Sequence, residues 1–160
     1  MKILEKRTQS IIEYLSENDK TISFAESCTG GRIASAFTAI SGASSVFNGS
    51  CVTYSNDIKQ QWLYVREETL INHGAVSKEC VEEMLCGIKA MASSDYAIAV
   101  SGIAGPTGGT ELKPVGSVYI GLLTPQATFV DRFQFDGSRQ EIQEEATRVA
   151  IERLAIELNL

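Results

Sequence analysis

Between a short apolar run, Thr21 to Ala25, and a helix-like segment, Arg32 to Ile40, the chain places Ala25-Glu26-Ser27-Cys28-Thr29-Gly30-Gly31. A buried strand that passes through a polar, glycine-ended turn into a helix is a building unit of open α/β sheets. Such turns gather side chains and helix-terminal N–H groups at the strand ends, where ligands of these sheets bind. Here the turn also carries a hydroxyl, a thiol and a carboxylate together.

Strands and helices alternate along the rest of the chain. Ile3, Leu4, Ile11, Ile12 and Leu15 give Lys2 to Glu17 a helical period. Ser50 to Ser55 reads as a strand, and Asn56 as the N-cap of a helix from Asp57 to about Tyr64. Ser77 opens another helix, with Val81, Met84, Leu85, Ile88 and Met91 towards the core. Tyr96 to Ser101 fits a fully buried strand and runs into a glycine-rich loop, Gly102 to Gly109. Val115 to Leu123 and Thr128 to Phe135 form an antiparallel pair around Thr124-Pro125-Gln126, and Ser138 caps a last helix towards Leu158. This order predicts an α/β fold, a three-layer α/β/α sandwich with a mixed, mostly parallel sheet. The length of 160 residues suits one domain over 1–160.

Composition narrows the function. A net charge of −6 argues against broad nucleic-acid binding, which needs a basic face. No apolar run approaches the roughly 20 residues that cross a bilayer, and Met1 to Arg7 lacks the apolar stretch of a signal peptide, so the expected location is cytoplasmic. Cys28, Cys51, Cys80 and Cys86 form no Cys-x-x-Cys pair and have no neighbouring histidine, which speaks against a zinc site. His73 is the only histidine, and its Asn72-His73-Gly74 setting suits a turn better than a catalytic base.

Ser27 sits where a nucleophile would sit, though Ser27 or Thr29 could equally cap the following helix. Cys28 is a competing nucleophile with no nearby cation to lower its pKa. Glu26 could orient a base or pair with Arg32. In Thr53-Tyr54-Ser55-Asn56-Asp57-Ile58-Lys59, a cap at Asn56 puts Lys59 third in the helix, where the positive end of the dipole favours a neutral amine. Such a lysine can act as base for a serine; the alternative is a solvated surface lysine. Tyr54 could lend a hydroxyl or be an ordinary strand aromatic. The loop Ser101-Gly102-Ile103-Ala104-Gly105-Pro106-Thr107-Gly108-Gly109, closed by Lys113-Pro114-Val115-Gly116, could turn N–H groups towards an anion or simply be a long connection. Asp136-Gly137-Ser138-Arg139 offers a helix start and a cation that could hold a phosphate, or Arg139 could be solvated.

Taken together, these segments resemble the CinA carboxy-terminal domain family over nearly the whole chain. The resemblance rests on Ala25 to Gly31, Val52 to Asn56 with Lys59, His73 to Ser77, Ser101 to Pro106 with Gly108-Gly109, and Lys113 to Gly116. Standalone members are nicotinamide-nucleotide amidohydrolases, which convert nicotinamide mononucleotide and water to nicotinic acid mononucleotide and ammonia. The resemblance implies Ser27 as nucleophile and Lys59 as base, with Tyr54 beside them, and neither metal nor cofactor. Thr29, Asn56 and Ser101 match positions lining the same cleft. The N–H groups of Thr29, Gly30 and Gly31 are candidates for an oxyanion hole. Gly102, Gly105, Thr107, Gly108, Gly109 and Arg139 are candidates for ribose and phosphate. A homo-oligomer, a dimer, is the assembly it implies, with no nucleic-acid or membrane partner. One departure is Gly137-Ser138-Arg139, where members often carry Gly-Asp-Arg followed by further arginine; here Gln143, Glu144 and Glu145 follow. That departure motivates the alternative of a non-catalytic pyridine-nucleotide-binding or interaction module.

Overall fold

The structure, a computed structural model, describes residues 2–160. In chain order it comprises α1 (Lys2–Glu17), β1 (Ile22–Glu26), α2 (Arg32–Thr38), a 3-10 turn (Ala43–Ser45), β2 (Phe47–Val52), α3 (Asn56–Leu63), α4 (Glu67–His73) and α5 (Lys78–Ala92). β3 (Tyr96–Gly102), β4 (Ser117–Leu123), β5 (Thr128–Gln134) and α6 (Arg139–Glu157) complete it. The strands form one mixed sheet in the order β2-β1-β3-β4-β5. β1 pairs in parallel with β2 and β3, while β4 runs antiparallel to both β3 and β5. Four strands therefore share one direction and only β4 opposes them.

The period-2 alternation of side chains explains the layers. Ile22 and Phe24 of β1, Tyr96, Ile98 and Val100 of β3, and Val118, Ile120 and Leu122 of β4 join one core with α1, α2 and α6. The intervening residues, Ala25, Ala97 and Ala99, join a second core with Val81, Met84, Leu85 and Ile88 of α5. Large side chains thus fill one face, whereas small ones on the other let α5 approach closely. A Cβ on Gly121 would stand 2.7 Å from Val81 Cγ1.

Several boundaries depart from the sequence-based expectation. β2 lies at 47–52 rather than 50–55, because its register against β1 starts from Phe47, whose ring stacks on Phe24. Ser55, not Asn56, caps α3 by accepting from the Ile58 N–H at 3.1 Å. Lys59 is therefore the fourth helical residue. Met91 is 54 % exposed rather than part of the core, since α5 has turned it away from the sheet by its last turn. α4 was not anticipated.

Gly116 carries the return of the glycine loop into β4 at φ +92°, and a Cβ there would fall 1.8 Å from the Phe135 carbonyl oxygen. Gly116→Ala is expected to lose more than about 2 kcal/mol of stability, since a left-handed φ and a backbone clash add. The midpoint of a urea titration checks it, and an unchanged midpoint contradicts it.

Candidate active site

β1 and β3 leave their carboxyl ends in different directions, one towards α2 and β2, the other into the loop before β4. Their divergence opens the kind of crevice in which α/β proteins bind ligands. Continuing the observed register one step past Glu26↔Val52 and Glu26↔Val100 sets Ser27 between Thr53 and Ser101 along this edge. By alternation Ser27 falls on the α5 side of the sheet and Glu26 on the α2 side.

Lys59 comes to Ser27 from α3. It is 1 % exposed, and its Nζ stands 3.1 Å from Ser27 Oγ. The same Nζ donates to the Thr53 carbonyl at 2.7 Å and the Tyr54 carbonyl at 3.1 Å. Burial holds the Lys59 pKa below the usual lysine value. A neutral amine has two N–H donors and one lone pair. The two carbonyls match the donors, which leaves the lone pair for the Ser27 hydroxyl. After proton transfer the ammonium has three donors, and the same three neighbours can accept them. The site accommodates either protonation state without rearrangement.

A cleft of about 200 Å³ surrounds this pair, lined by Ser27, Cys28, Tyr54, Asn56, Lys59, Ala75, Val76, Ser101, Gly102 and Ala104. The structure thus gathers Ser27, Lys59, Tyr54, Asn56, Ser101 and Gly102. Arg139 reaches the rim from α6, where it donates to the Gly105 carbonyl at 2.7 Å and to the Tyr54 hydroxyl at 2.8 Å. It braces the glycine loop against Tyr54. One turn further along α6, Gln143 donates to the Cys28 carbonyl at 2.9 Å and holds the turn that carries Ser27. One of the residues that depart from the family pattern is thus employed inside the protein.

Other expected residues stand apart from the lining. The Thr29 hydroxyl is buried and donates to Glu26 Oε1 at 2.7 Å. The Gly30 N–H donates to the Ser27 carbonyl at 3.0 Å, which removes it from the oxyanion-hole donors. Gly30 and Gly31 take left-handed φ values of +57° and +95° that turn the chain into α2. Gly105 and Gly109 make room for Val115, since Cβ atoms there would lie 2.4 Å from its Cγ1 and 2.7 Å from its N. Thr107, Gly108 and Gly109 are exposed and outside the lining. His73 ends α4, 3.7 Å from Glu79 and likewise outside the lining. Ala75, Val76 and Ala104 are lining residues that reasoning from residue chemistry passed over; their signal was the positional match alone, of His73 to Ser77 for the first two and of Ser101 to Pro106 for Ala104.

Glu26 neither touches the base nor pairs with Arg32. Its fully buried carboxylate accepts from the Ile33 N–H at 3.0 Å, the Ala34 N–H at 3.1 Å and the Ser50 hydroxyl at 3.5 Å, besides Thr29. It occupies the amino-terminal end of α2, where its oxygens satisfy N–H groups that the helix itself leaves free. Cys28 is 4 % exposed, and burial, reinforced by Glu26, pushes its thiol up to about 12. A thiol so far above neutrality is a poor nucleophile. Cys28→Ala is accordingly expected to keep kcat within about threefold of wild type, a change near 0.7 kcal/mol. A loss of a hundredfold or more would reinstate the thiol. No group of three or more His, Cys, Asp or Glu side chains gathers to hold a metal among the described residues.

Fold and site together define an α/β protein with a serine–lysine pair at the carboxyl ends of its parallel strands. The chain belongs to the CinA C-terminal domain family, whose pattern matches residues 4–158. It is 54 % identical over 140 residues to a CinA-like protein of Endomicrobium trichonymphae, covering 88 % of this chain and 33 % of that protein. A CinA-like protein of Thermotoga maritima is 45 % identical over 150 residues, covering 94 % and 36 % respectively. The chain spans about a third of the length of these curated relatives. Among solved structures, it resembles competence damage-inducible protein A (ComA) from Klebsiella pneumoniae, with TM-score 0.94, 37 % identity, and coverage of 98 % of this chain and 97 % of that one. Competence/damage inducible protein CihA from Agrobacterium tumefaciens gives TM-score 0.93 and 39 % identity, with 98 % and 96 % covered. No described helix is long and apolar enough to cross a membrane.

Proposed function

We propose that this chain is an amidohydrolase that deamidates nicotinamide mononucleotide to nicotinic acid mononucleotide and ammonia. The observation that carries the chemistry is the buried Lys59 amine, engaged by two backbone carbonyls and within reach of Ser27 Oγ. Family membership and the family's standalone amidohydrolases support the substrate. A cleft of about 200 Å³ is smaller than the ~300–1,000 Å³ of pockets that enclose drug-sized ligands. It suits a flat carboxamide head with the ribose phosphate towards the mouth.

In the acylation step the Ser27 proton passes to Lys59 Nζ while Oγ bonds to the carboxamide carbon. The tetrahedral oxyanion collapses, the C–N bond breaks, and the Lys59 ammonium protonates the leaving nitrogen to give ammonia. Water then attacks the acyl ester, its proton goes to Lys59, and Ser27 recovers a proton as the carboxylic acid departs. The Thr29 and Gly31 N–H groups, expected as oxyanion donors, lie outside the cleft lining, so the proposal assigns the oxyanion no donor from that turn.

Ammonia release from purified protein and nicotinamide mononucleotide tests the reading directly. Turnover that persists with chelator supports it. Saturable binding with no ammonia at any protein concentration would replace it with a non-catalytic nucleotide-binding module.

A further inference from the structure

The segment Lys113-Pro114-Val115-Gly116 has no part in the chemistry above, yet it meets the cleft from outside. Ala75 and Val76 form one wall and lie in the connector between α4 and α5. Gly102, the last residue of β3, and Ala104, in the long loop into β4, form another. Lys113 joins the two segments, because its Nζ donates to the His73 carbonyl at 2.6 Å.

Neither side of that contact is loose. Thr110 N–H donates to the Lys113 carbonyl at 2.8 Å, and Lys113 N–H donates to Thr110 Oγ1 at 3.0 Å, so the lysine backbone sits in a closed turn. Arg132 of β5 holds the neighbouring Leu112 carbonyl at 2.8 Å. Val115 seats in the notch left by Gly105 and Gly109. Across the contact, His73 O is an end carbonyl of α4, where a cation is favoured by the helix dipole and by the missing backbone partner. Gly74 follows at φ +78°, and a Cβ there would stand 3.5 Å from Lys113 Nζ. Beyond it, Ser77 Oγ donates to the Gly74 carbonyl at 2.7 Å and caps α5 through Cys80 N–H at 3.1 Å. Ala75 and Val76 are suspended between an anchor at Ser77 and the lysine tie at His73.

We propose that Lys113 is a positioning residue for substrate binding: by clasping the end of α4 it fixes the Ala75–Val76 wall against the glycine-loop wall. The inference rests on the amidohydrolase reading for the identity of the ligand, and on geometry alone for the clasp. Lys113 touches no reacting atom, so its loss acts on binding and leaves the chemical step alone.

The test compares Lys113→Met, which keeps the stem and drops the donors, with Lys113→Arg, which keeps a donor. Lys113→Met is expected to raise KM about fivefold with kcat within twofold, and Lys113→Arg to recover most of the loss; fivefold is about 1 kcal/mol. The Kd of nicotinamide mononucleotide, measured without turnover in a Ser27→Ala background, is expected to rise by the same factor. Amide exchange at 75–77 is expected to accelerate about fivefold with β3 unchanged. Faster exchange confined to α4, with KM and Kd unaltered, would reduce Lys113 to a helix cap and overturn the proposal. If wild type binds the nucleotide without releasing ammonia, the amidohydrolase reading fails while Kd still decides the clasp. If it does not bind either, exchange at 75–77 decides alone, and an unaltered rate there overturns the clasp.

Discussion

Ser27→Ala is expected to abolish ammonia release, lowering kcat by at least about a thousandfold, with the fold intact. The substitution removes one oxygen from a residue 7 % exposed and leaves Lys59 with its two carbonyl partners. Lys59→Met is expected to cost a similar factor, because methionine keeps the bulk of the stem and removes the base. The pH profile separates the base from mere bulk. Only neutral Lys59 can accept the Ser27 proton, so kcat/KM of wild type rises with pH as the ammonium deprotonates. Burial lowers that pKa, so the rise is expected below the ordinary lysine range. The residual rate of Lys59→Met should lack this rise. Steady-state ammonia assays across pH check both variants, and a Ser27→Ala protein at full rate would end the serine mechanism.

The second large effect concerns stability. Glu26→Ala is expected to lose about 3–5 kcal/mol, because two α2 amides and the Thr29 hydroxyl lose their acceptor, and a buried donor left unsatisfied costs about 1–3 kcal/mol, least for the part-buried Ala34 N–H. For a chain of 160 residues that is a fall in Tm on the order of 10 °C. Glu26→Gln should lose less, about 2 kcal/mol, since one acceptor oxygen survives while the amide nitrogen faces the helix N–H groups. Thermal unfolding of the pair beside wild type measures this. A Glu26→Ala midpoint within a degree of wild type would mean that the amides find other partners.

The place of a candidate residue was legible where one local rule decides the outcome. Ser27 follows a run apolar enough to read as a buried strand, so its place at a strand end could be read; that Lys59 turns inward could not, since a solvated lysine fits the same local pattern and only the packing of α3 carries its amine to Ser27. Where several residues satisfy the same rule, the sequence could not choose. Ser55 and Asn56 both cap helices well, and the hydroxyl prevailed because its oxygen reaches the Ile58 N–H. α4 escaped notice because seven residues are two turns, too short for a period, and Ile71 within it faces solvent. The Ala75–Val76 wall was hidden for the same reason, since it exists only once α4 and α5 are placed. The glycine loop was misleading in a different way: glycines suggest an anion cradle, yet Gly105 and Gly109 serve a valine.

Glu26 also makes the amino-terminal end of α2 self-contained. Its oxygens already accept from the Ile33 and Ala34 N–H groups, on the face of the sheet opposite to Ser27. Those amides are closed to a ligand, although a helix start beside a strand end is a common place for an anion to settle. A molecule held in the cleft must therefore find its polar partners among Ser27, Tyr54, Asn56, Lys59, Ser101 and the backbone around them.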